Sequence, residues 1–555
     1  MILRNEKKIE LRLSNIFKNA AILGFYKVIR DYDEIEIDQN RIIFPYNVFH
    51  DFTEKYIKAN LNEFYTRTIH FELVNRLDYL KTVDLNNDEN KEKVNATLKY
   101  IKDKLNRNSY QAGYKIIKDN NPKETRKIDN LIKKISVDNF TESNELLGDI
   151  QNYLNKYKET LAMKDIIYTV IGKYWENLAF LNRQSSKKDI KTIYESTFLD
   201  GINEFLEDDI GPGNQCICCH TPIKTKHGRP NSFIIDKGAD ANRKRSHFWN
   251  FKPDSYLCPV CAIIYSCMHL GFVNFGNNAI FINNNYDFDD LESINNTAEL
   301  KSLDMADNRL SELYRYLTRL LNESFKSLSN EINNIQVAMK ISHNDKMRYL
   351  FNIISKDKLT IMEKRKKEFE RVVKINTRVK DRYAYDIFVE NFFGGVNQYM
   401  LIDEIIRNSL NSNRTFAISS ITEAILLVQN ETGFVFYKEG ELRKGGRIVA
   451  IRDIREMKKA GSLMRYRFKT NSDNIKDVDN KIRSYVYHLL NSLKTNNNED
   501  FMDVVLRMYA GLGLTVPEQF IKMLEYENQF KVLGYAYIIG LKNDSFEQNP
   551  KEEKE

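Results

Sequence analysis

The chain has 555 residues, 42% of them hydrophobic and 29% charged, with a net charge of +7. That balance is too apolar for a disordered chain, and the length exceeds what a single core usually serves, so three or four packed units are expected. The first ten residues lack the apolar core of a secretion signal and no run approaches the length of a membrane span, which predicts a cytoplasmic protein with no membrane partner.

Along the chain, Leu13, Ile16, Phe17, Ala20, Leu23 and Phe25 keep helical spacing between Leu11 and Ile29, with Ser14 in position to cap. Ile35 and Ile37 then alternate with acids, Gln39-Asn40 offers a turn, and Ile42, Ile43 and Phe44 complete a hairpin ending at Pro45. Helical periodicity resumes after His50, where Asp51 reads as a cap, and runs with Asn-rich breaks to about Phe205. Gly211-Pro212-Gly213 is the clearest break in the chain. Strands are expected at Ala279–Ile282 and Ile335–Ile341, with a helix from Leu300 to Leu328 between them and a charged helix from Lys356 to Arg382 after them. Past Gln398 helices dominate, apart from a hairpin predicted around Phe434–Tyr437 and Arg447–Ile451. Three final helical patterns, Val478 to Leu493, Phe501 to Leu512 and Phe520 to Leu541, predict a bundle.

The fold class read from these elements is α+β and predominantly helical. The domains expected are a mainly helical 1–210 with a β-hairpin, a zinc-ribbon-like insert at 211–270, an α+β segment at 271–397 and a C-terminal helical region with its bundle at 398–555.

All six cysteines fall between positions 216 and 267, too local for a disulfide framework. Cys216-Ile217-Cys218-Cys219 and Cys258-Pro259-Val260-Cys261 are two Cys-x-x-Cys turns with 38 residues between them. Each such turn presents two thiolates to one ion, and two turns complete the tetrahedral sphere that zinc prefers. Cys216, Cys219, Cys258 and Cys261 are the ligands favoured by matched spacing, with Cys218 and His220 the alternatives to Cys219. A four-cysteine site leaves no position for water, so the Zn2+ it predicts is structural. Cys267 lies in an apolar helical run and reads as a buried thiol.

Between Lys224 and Lys252 the chain carries eight Lys or Arg against Asp236 and Asp240, so most of the net charge sits inside the cysteine segment. Lys224, Lys226, Arg229, Arg243, Lys244, Arg245 and Lys252, with Trp249 among them, combine phosphate-neutralising charge with a stacking face, as nucleic acid requires. Lys458, Lys459, Arg465 and Arg467, interleaved with Tyr466 and Phe468, form a second candidate patch. The Asn-rich stretch Asn274 to Asn285 offers amides of the kind that pair with adenine edges, although an AT-rich genome produces the same composition. His50-Asp51 lacks the earlier histidine that a metal phosphohydrolase needs, and no phosphate loop or nucleophile elbow occurs.

Three features together resemble the large subunit of type I CRISPR interference (Cascade) complexes, in the group named for its CXXC-CXXC region. They are the helix Asn19-Ala20-Ala21-Ile22-Leu23-Gly24-Phe25-Tyr26 followed by a short hairpin, the pair Cys216/Cys219, and Cys258-Pro259-Val260-Cys261 leading into an apolar helix. The resemblance implies a non-enzymatic subunit of a crRNA-guided surveillance complex. Such a subunit recognises the protospacer-adjacent motif in double-stranded target DNA, aids R-loop formation and recruits the helicase-nuclease, while guide pairing reads the sequence. Its partners would be crRNA, target DNA with the displaced single strand, the other Cascade subunits and the helicase-nuclease. The rival readings are a zinc-dependent RNA-processing nuclease or another nucleic-acid enzyme with an unrecognised site, and a zinc-stabilised interaction module.

Overall fold

The computed structural model describes the chain except residues 1, 4–5, 84–87, 106–107, 135–143, 177, 179–180, 182–188, 209–213, 232–233, 235–255, 276–277, 297–334, 344–345, 376, 381, 411–414, 433–434, 439–440, 445–447, 472–474, 525–526 and 543–555. The expected helix at 300–328 therefore lies outside the described residues. Two compact units are distinguished: residues 1–306 with 336–351, and residues 307–335 with 352–555.

The first unit opens with strands β1 (Ile2–Leu3) and β2 (Lys8–Arg12), helix α1 (Ile16–Ile29) and the hairpin β3 (Glu36–Asp38) and β4 (Arg41–Pro45). These strands form an antiparallel sheet in the order β1-β2-β4-β3, with Ile9 opposite Phe44 and Leu11 opposite Ile42. Residues 8–12 alternate apolar and charged with a period of two, so the strand takes Leu11 and the helix starts later than its spacing suggested. The cap is Asn15, whose side chain accepts from Lys18 N at 2.9 Å, while Ser14 N donates to Asn19 Oδ1 at 2.7 Å. Asp51 does precede helix α2 (Phe52–Phe64), but its carboxylate accepts from the Tyr32 hydroxyl and pairs with Lys55 instead of capping.

Helices α3 (Ile69–Thr82), α4 (Asp88–Leu105), α5 (Asn108–Asn120), α6 (Pro122–Lys134), α7 (Asn144–Lys156) and α8 (Lys158–Thr169) follow. They share a core of their own, built from stripes such as Leu73, Leu77 and Leu80, or Val94, Leu98 and Ile101, at helical spacing. Short helices α9 (Ile190–Tyr194) and α10 (Ile202–Glu207) lead to the cysteine segment. That segment comprises β5 (Asn214–Gln215), β6 (Pro222–Ile223), β7 (Arg229–Pro230), β8 (Tyr256–Leu257), α11 (Pro259–Ser266) and α12 (Met268–Gly271). Next come β9 (Val273–Phe275), β10 (Asn278–Ile282), α13 (Phe288–Asn295), β11 (Ile335–His343) and β12 (Lys346–Ile354), whose strands pair in the order β12-β11-β10-β9.

Cys216, Cys258, Cys261 and Cys267 belong to the same buried core as Ala20, Leu23 and Phe25 of α1. The closeness of this packing is set by glycine. A Cβ on Gly24 would lie 2.0 Å from the Cys267 carbonyl oxygen, and one on Gly271 would lie 1.9 Å from that of Ala20. Lys27 of α1 donates to Leu270 O at 2.9 Å and ties the far end of the crossing.

The asparagines around this core are structural. Asn19 Nδ2 donates to Asn283 Oδ1 at 2.8 Å and Asn285 Oδ1 at 2.7 Å, and Asn274 accepts from the Tyr174 hydroxyl at 2.7 Å. Asn274 and Asn283 are buried in the fold, so these amides are not displayed to a base edge.

The second unit contains α14 (Lys356–Lys364), α15 (Lys366–Lys374), β13 (Arg378–Val379), β14 (Arg382–Tyr383), α16 (Ala384–Gly394), α17 (Tyr399–Ser409) and α18 (Thr415–Thr432). The single charged helix expected over 356–382 is thus two helices and a hairpin. It breaks at Arg365, which leaves helical geometry and buries its guanidinium 2.5 Å from Glu431, and again where Lys380 turns the hairpin at a φ of 55°. Gly395, at a φ of 70°, ends α16.

Strands β15 (Val435–Lys438) and β16 (Glu441–Lys444) form the late hairpin. Its second strand was expected at 447–451, but Ile451 instead begins α19 (Ile451–Thr470). Helices α20 (Ile475–Thr495), α21 (Asn498–Ala510), α22 (Gln519–Met523) and α23 (Glu527–Leu541) complete the helical bundle. Here too a crossing is made by glycine: a Cβ on Gly461 of α19 would lie 2.1 Å from Tyr537 O, and one on Gly540 of α23 2.0 Å from Lys458 O.

Candidate metal centre

The first cysteine pair sits on a tight turn. The Cys216 N–H donates to Thr221 O at 3.0 Å and the His220 N–H to Cys216 O at 2.9 Å, while His220 adopts a φ of 58° to bring the chain back into β6. The Ile217 N–H donates to Tyr256 O at 2.9 Å, which docks this turn against the strand leading to the second pair. That second pair opens a helix. Cys258 caps α11, its sulfur accepting from Cys261 N at 3.3 Å, and Pro259 takes the first helical position, where its missing N–H has no consequence.

These two turns bring the sulfurs of Cys216, Cys219, Cys258 and Cys261 within 4.8 Å of one another. Cys219 Sγ and Cys258 Sγ are 3.7 Å apart. A zinc–sulfur bond of about 2.3 Å sets a tetrahedral edge of about 3.8 Å, so the sulfurs already span the shape such an ion needs. Neither Cys218 nor His220 joins the group of converging ligand atoms.

Backbone amides face the sulfurs as well. Cys218 N and Cys258 N donate to Cys216 Sγ at 3.4 and 3.3 Å. N–H groups aimed at sulfur, together with the first turn of α11, favour the thiolate that binds metal. Cys216, Cys258 and Cys261 are buried and Cys219 is half-buried, so the ligand set is enclosed by protein. Cys267 stays apart from the cluster as a buried thiol, its sulfur 3.5 Å from Ile263 O, and burial pushes its pKa up.

A second group, Glu204, Asp208 and His227, also brings three ligand atoms within 4.8 Å of one another. Hydrogen-bond donors already fill it. His227 Nε2 lies 2.8 Å from Asp208 Oδ2, and Lys226 and Lys224 pair with Asp208 at 3.0 and 3.2 Å. The hydrogen bond to His227, then those to Lys226 and Lys224, hold the Asp208 carboxyl well below the usual carboxylate range.

The basic residues divide by surroundings. Lys224 and Lys226 belong to this ion-pair knot, Lys226 also reaching Glu204, and Arg229 donates to the Asp200 carbonyl. Arg243, Lys244, Arg245, Trp249 and Lys252 lie outside the described residues. On α19, Lys458 pairs with Glu423 at 2.7 Å. Arg465 is buried, donating to Leu541 O at 3.2 Å and to Asp479 at 2.8 Å, so it stabilises the C-terminal end of α23. Lys459 and Arg467 are exposed, as are Arg455 and Tyr466 on neighbouring turns. Arg455 was not among the residues picked out from charge. Its place three and four residues from the exposed Arg452 and Lys459 is the helical signal that finds it.

The fold and site together define a predominantly helical α+β protein with a ribbon-like insert organised by four converging cysteines. Residues 212–273, the segment that contains them, match the family described as CRISPR-associated protein (Cas_CXXC_CXXC), as the paired motifs led us to expect. No curated protein and no solved structure matches the chain. No helix among the described residues is long and apolar enough to cross a membrane.

Proposed function

We propose that this CRISPR-associated chain is the non-catalytic large subunit of a crRNA-guided type I surveillance complex, with one structural zinc ion on Cys216, Cys219, Cys258 and Cys261. The reading is that it recognises the protospacer-adjacent motif in duplex DNA, aids R-loop formation and recruits the helicase-nuclease. The observation that carries it is the convergence of the four sulfurs within the segment that matches the CRISPR family. Cys219 and Cys258 bracket residues 220–257, so their 3.7 Å approach brings together the two ends of the segment whose sequence contains Arg243, Lys244, Arg245 and Trp249. Four thiolates complete the coordination of the ion and leave it no open position for a reacting water. The exposed Arg455, Lys459, Tyr466 and Arg467 of α19 supply the charge and aromatic face of a further nucleic-acid contact.

The test is reconstitution with crRNA and the other subunits, followed by binding to duplexes with and without a flanking motif. Changing Arg243, Lys244 and Arg245 to Glu should weaken binding and lower the salt slope by up to about 2.7, at 0.9 per lost phosphate contact. An unchanged slope would refute the loop as the DNA surface. Turnover of DNA or RNA by the metal-loaded chain alone would refute the non-catalytic reading.

A further inference from the structure

Helices α3 and α4 each turn one stripe into the core they share, Leu73, Leu77 and Leu80 on the first and Val94, Leu98 and Ile101 on the second. Beside it, Glu72, Asn75, Arg76 and Tyr79 form a further stripe of α3, spaced three and four residues apart. Lys93, Ala96 and Thr97 do the same on α4. The two stripes line an open hollow of about 600 Å³, within the range of small-molecule sites. Its depth follows from the α4 side. Ala96 ends at its methyl group, and the Thr97 hydroxyl folds back to donate to Lys93 O at 2.8 Å, which leaves room opposite the longer side chains of α3.

The polar groups of this hollow are held in place. The Arg76 guanidinium lies 3.7 Å from the ring centroid of Tyr100, one turn beyond Thr97 on α4. Stacking uses the face of a guanidinium and leaves its in-plane N–H groups to donate. Glu72, the acid of this wall, accepts from the Tyr100 hydroxyl and pairs with Lys104 at 3.5 Å, so its charge is already balanced. Lys93 is exposed and pairs with Glu89 at 2.6 Å, a weak surface contact that another anion can replace. The Tyr79 ring is 39% exposed, large for an aromatic side chain lining a hollow. Thr66 lines this hollow and also a second one of about 570 Å³, where the Lys158 ammonium sits 3.9 Å from the ring centroid of Tyr65. That ring is fixed in turn: His70 Nε2 donates to Leu154 O at 2.8 Å, so Nδ1 accepts from the Tyr65 hydroxyl at 3.1 Å.

We propose that the hollow between α3 and α4 binds a nucleotide, with the base against the exposed Tyr79 ring and the phosphate on Arg76 and Lys93. An exposed aromatic face beside a preorganised guanidinium matches a flat base joined to a phosphate, and a bare anion would use only half of it. Asn75, one turn before Tyr79, supplies an amide for the base edge. The nucleotide is either free or one unit of a strand, whose next unit would continue past Thr66 to Tyr65 and Lys158. The site uses neither the cysteine segment nor α19, so its failure would leave the function argued above untouched.

The experiment titrates the zinc-loaded full chain with adenosine 5′-monophosphate and with ribose 5-phosphate at matched ionic strength, following ligand line broadening by NMR. A two-nucleotide strand is compared in parallel. The nucleotide should bind about tenfold more tightly than ribose 5-phosphate, the contribution of one stacked base. Tyr79→Ala should remove that difference, and Arg76→Gln should weaken both ligands about tenfold, the loss of a charge-assisted hydrogen bond. Ala96→Leu fills the hollow from an exposed helical position and should weaken the nucleotide as Tyr79→Ala does. Lys99→Gln takes a charge from another face of α4 and should leave the affinity within about twofold. Tighter binding of the two-nucleotide strand would identify a strand as the source, and equal binding the free nucleotide. Should Arg76→Gln fail to fold, Tyr79→Ala and Ala96→Leu, both at exposed positions, carry the same comparison. Ribose 5-phosphate binding as tightly as the nucleotide, or unchanged affinity in Tyr79→Ala and Ala96→Leu, would overturn the site and leave this face of α3 and α4 a solvated surface.

Discussion

Both units contain a crossing of two helices through a reciprocal pair of glycines, and the two crossings are supported differently. In the first unit, Gly24 and Gly271 let α1 approach the chain leaving α11, the helix whose opening turn holds Cys258 and Cys261. In the second, Gly461 and Gly540 bring α19 against α23, and the support is ordinary hydrogen bonding: Ser462 Oγ to Gly540 O at 3.2 Å and Arg465 to Leu541 O. The same backbone contact is thus coupled to a cluster of four cysteines in one place and to side-chain caps in the other. The difference teaches that the cysteine cluster acts on the core of the first unit and not merely on a peripheral loop, since its sulfurs and the glycine crossing share one run of chain.

The largest effect should come from removing the metal. Binding by structural zinc sites is worth of order 10–16 kcal/mol, comparable to a whole domain's stability. Chelation, or Cys258→Ala, should abolish hydrogen-exchange protection in α11 and α12 while the α19–α23 amides keep theirs. Cys219→Ser should lower the bound zinc and Cys218→Ser should not, as metal analysis of the purified variants would show. If α11 keeps its protection without metal, the claimed difference between the crossings disappears.

Next in size are the glycines themselves. Gly24→Ala and Gly461→Ala each drive a methyl group into a backbone carbonyl, which should destabilise by about 3 kcal/mol, outweighing the roughly 1 kcal/mol that Ala gains over Gly in a helix. A Cβ on Gly148 of α7 would meet no atom within 4 Å, so Gly148→Ala should show the gain alone. Urea midpoints of the three variants compare the crossings directly.

The smallest effect concerns the Asp208 knot beside the cysteine segment. Its folded pKa is held below the ordinary carboxylate value, so it contributes stability above that value and loses it as the pH falls through and below it. Asp208→Asn should therefore lower the stability near neutrality and flatten the acid limb of the urea-stability profile, measured with metal saturating, so that the two profiles converge as the pH falls. An acid limb identical to that of the unaltered chain would remove this knot from the account of the first unit.

Much of this was legible from the chain because some patterns tie chemistry to spacing. Two Cys-x-x-Cys turns identify cysteines that converge wherever the intervening residues go, and period-two or period-3.6 apolar spacing placed β4, β10 and the last helices. Matched spacing favoured Cys219 over Cys218, whereas the left-handed turn at His220 that returns the chain to β6 is a backbone state that composition does not show. Charge was the weaker guide because it says nothing about direction. Lys458 and Arg465 follow Met457 and Met464 on the edge of the buried stripe of α19, and so turn inward to Glu423 and to the end of α23. The break at Arg365 was hidden for a similar reason, since its partner Glu431 is 66 residues away. The glycine crossings escaped notice because each depends on a carbonyl distant in sequence.

Helix α11 and its continuation have a fixed rotational phase. The near end is indexed by the two cysteine sulfurs of its opening turn, and the far end by the bare backbone of Gly271 facing Ala20. Each residue advances an α-helix by about 100°, so adding or deleting one residue between Cys261 and Gly271 would turn one index away from its mate. The spacing of this stretch is therefore a mechanical constraint, and substitutions within it should be tolerated where a change of length is not.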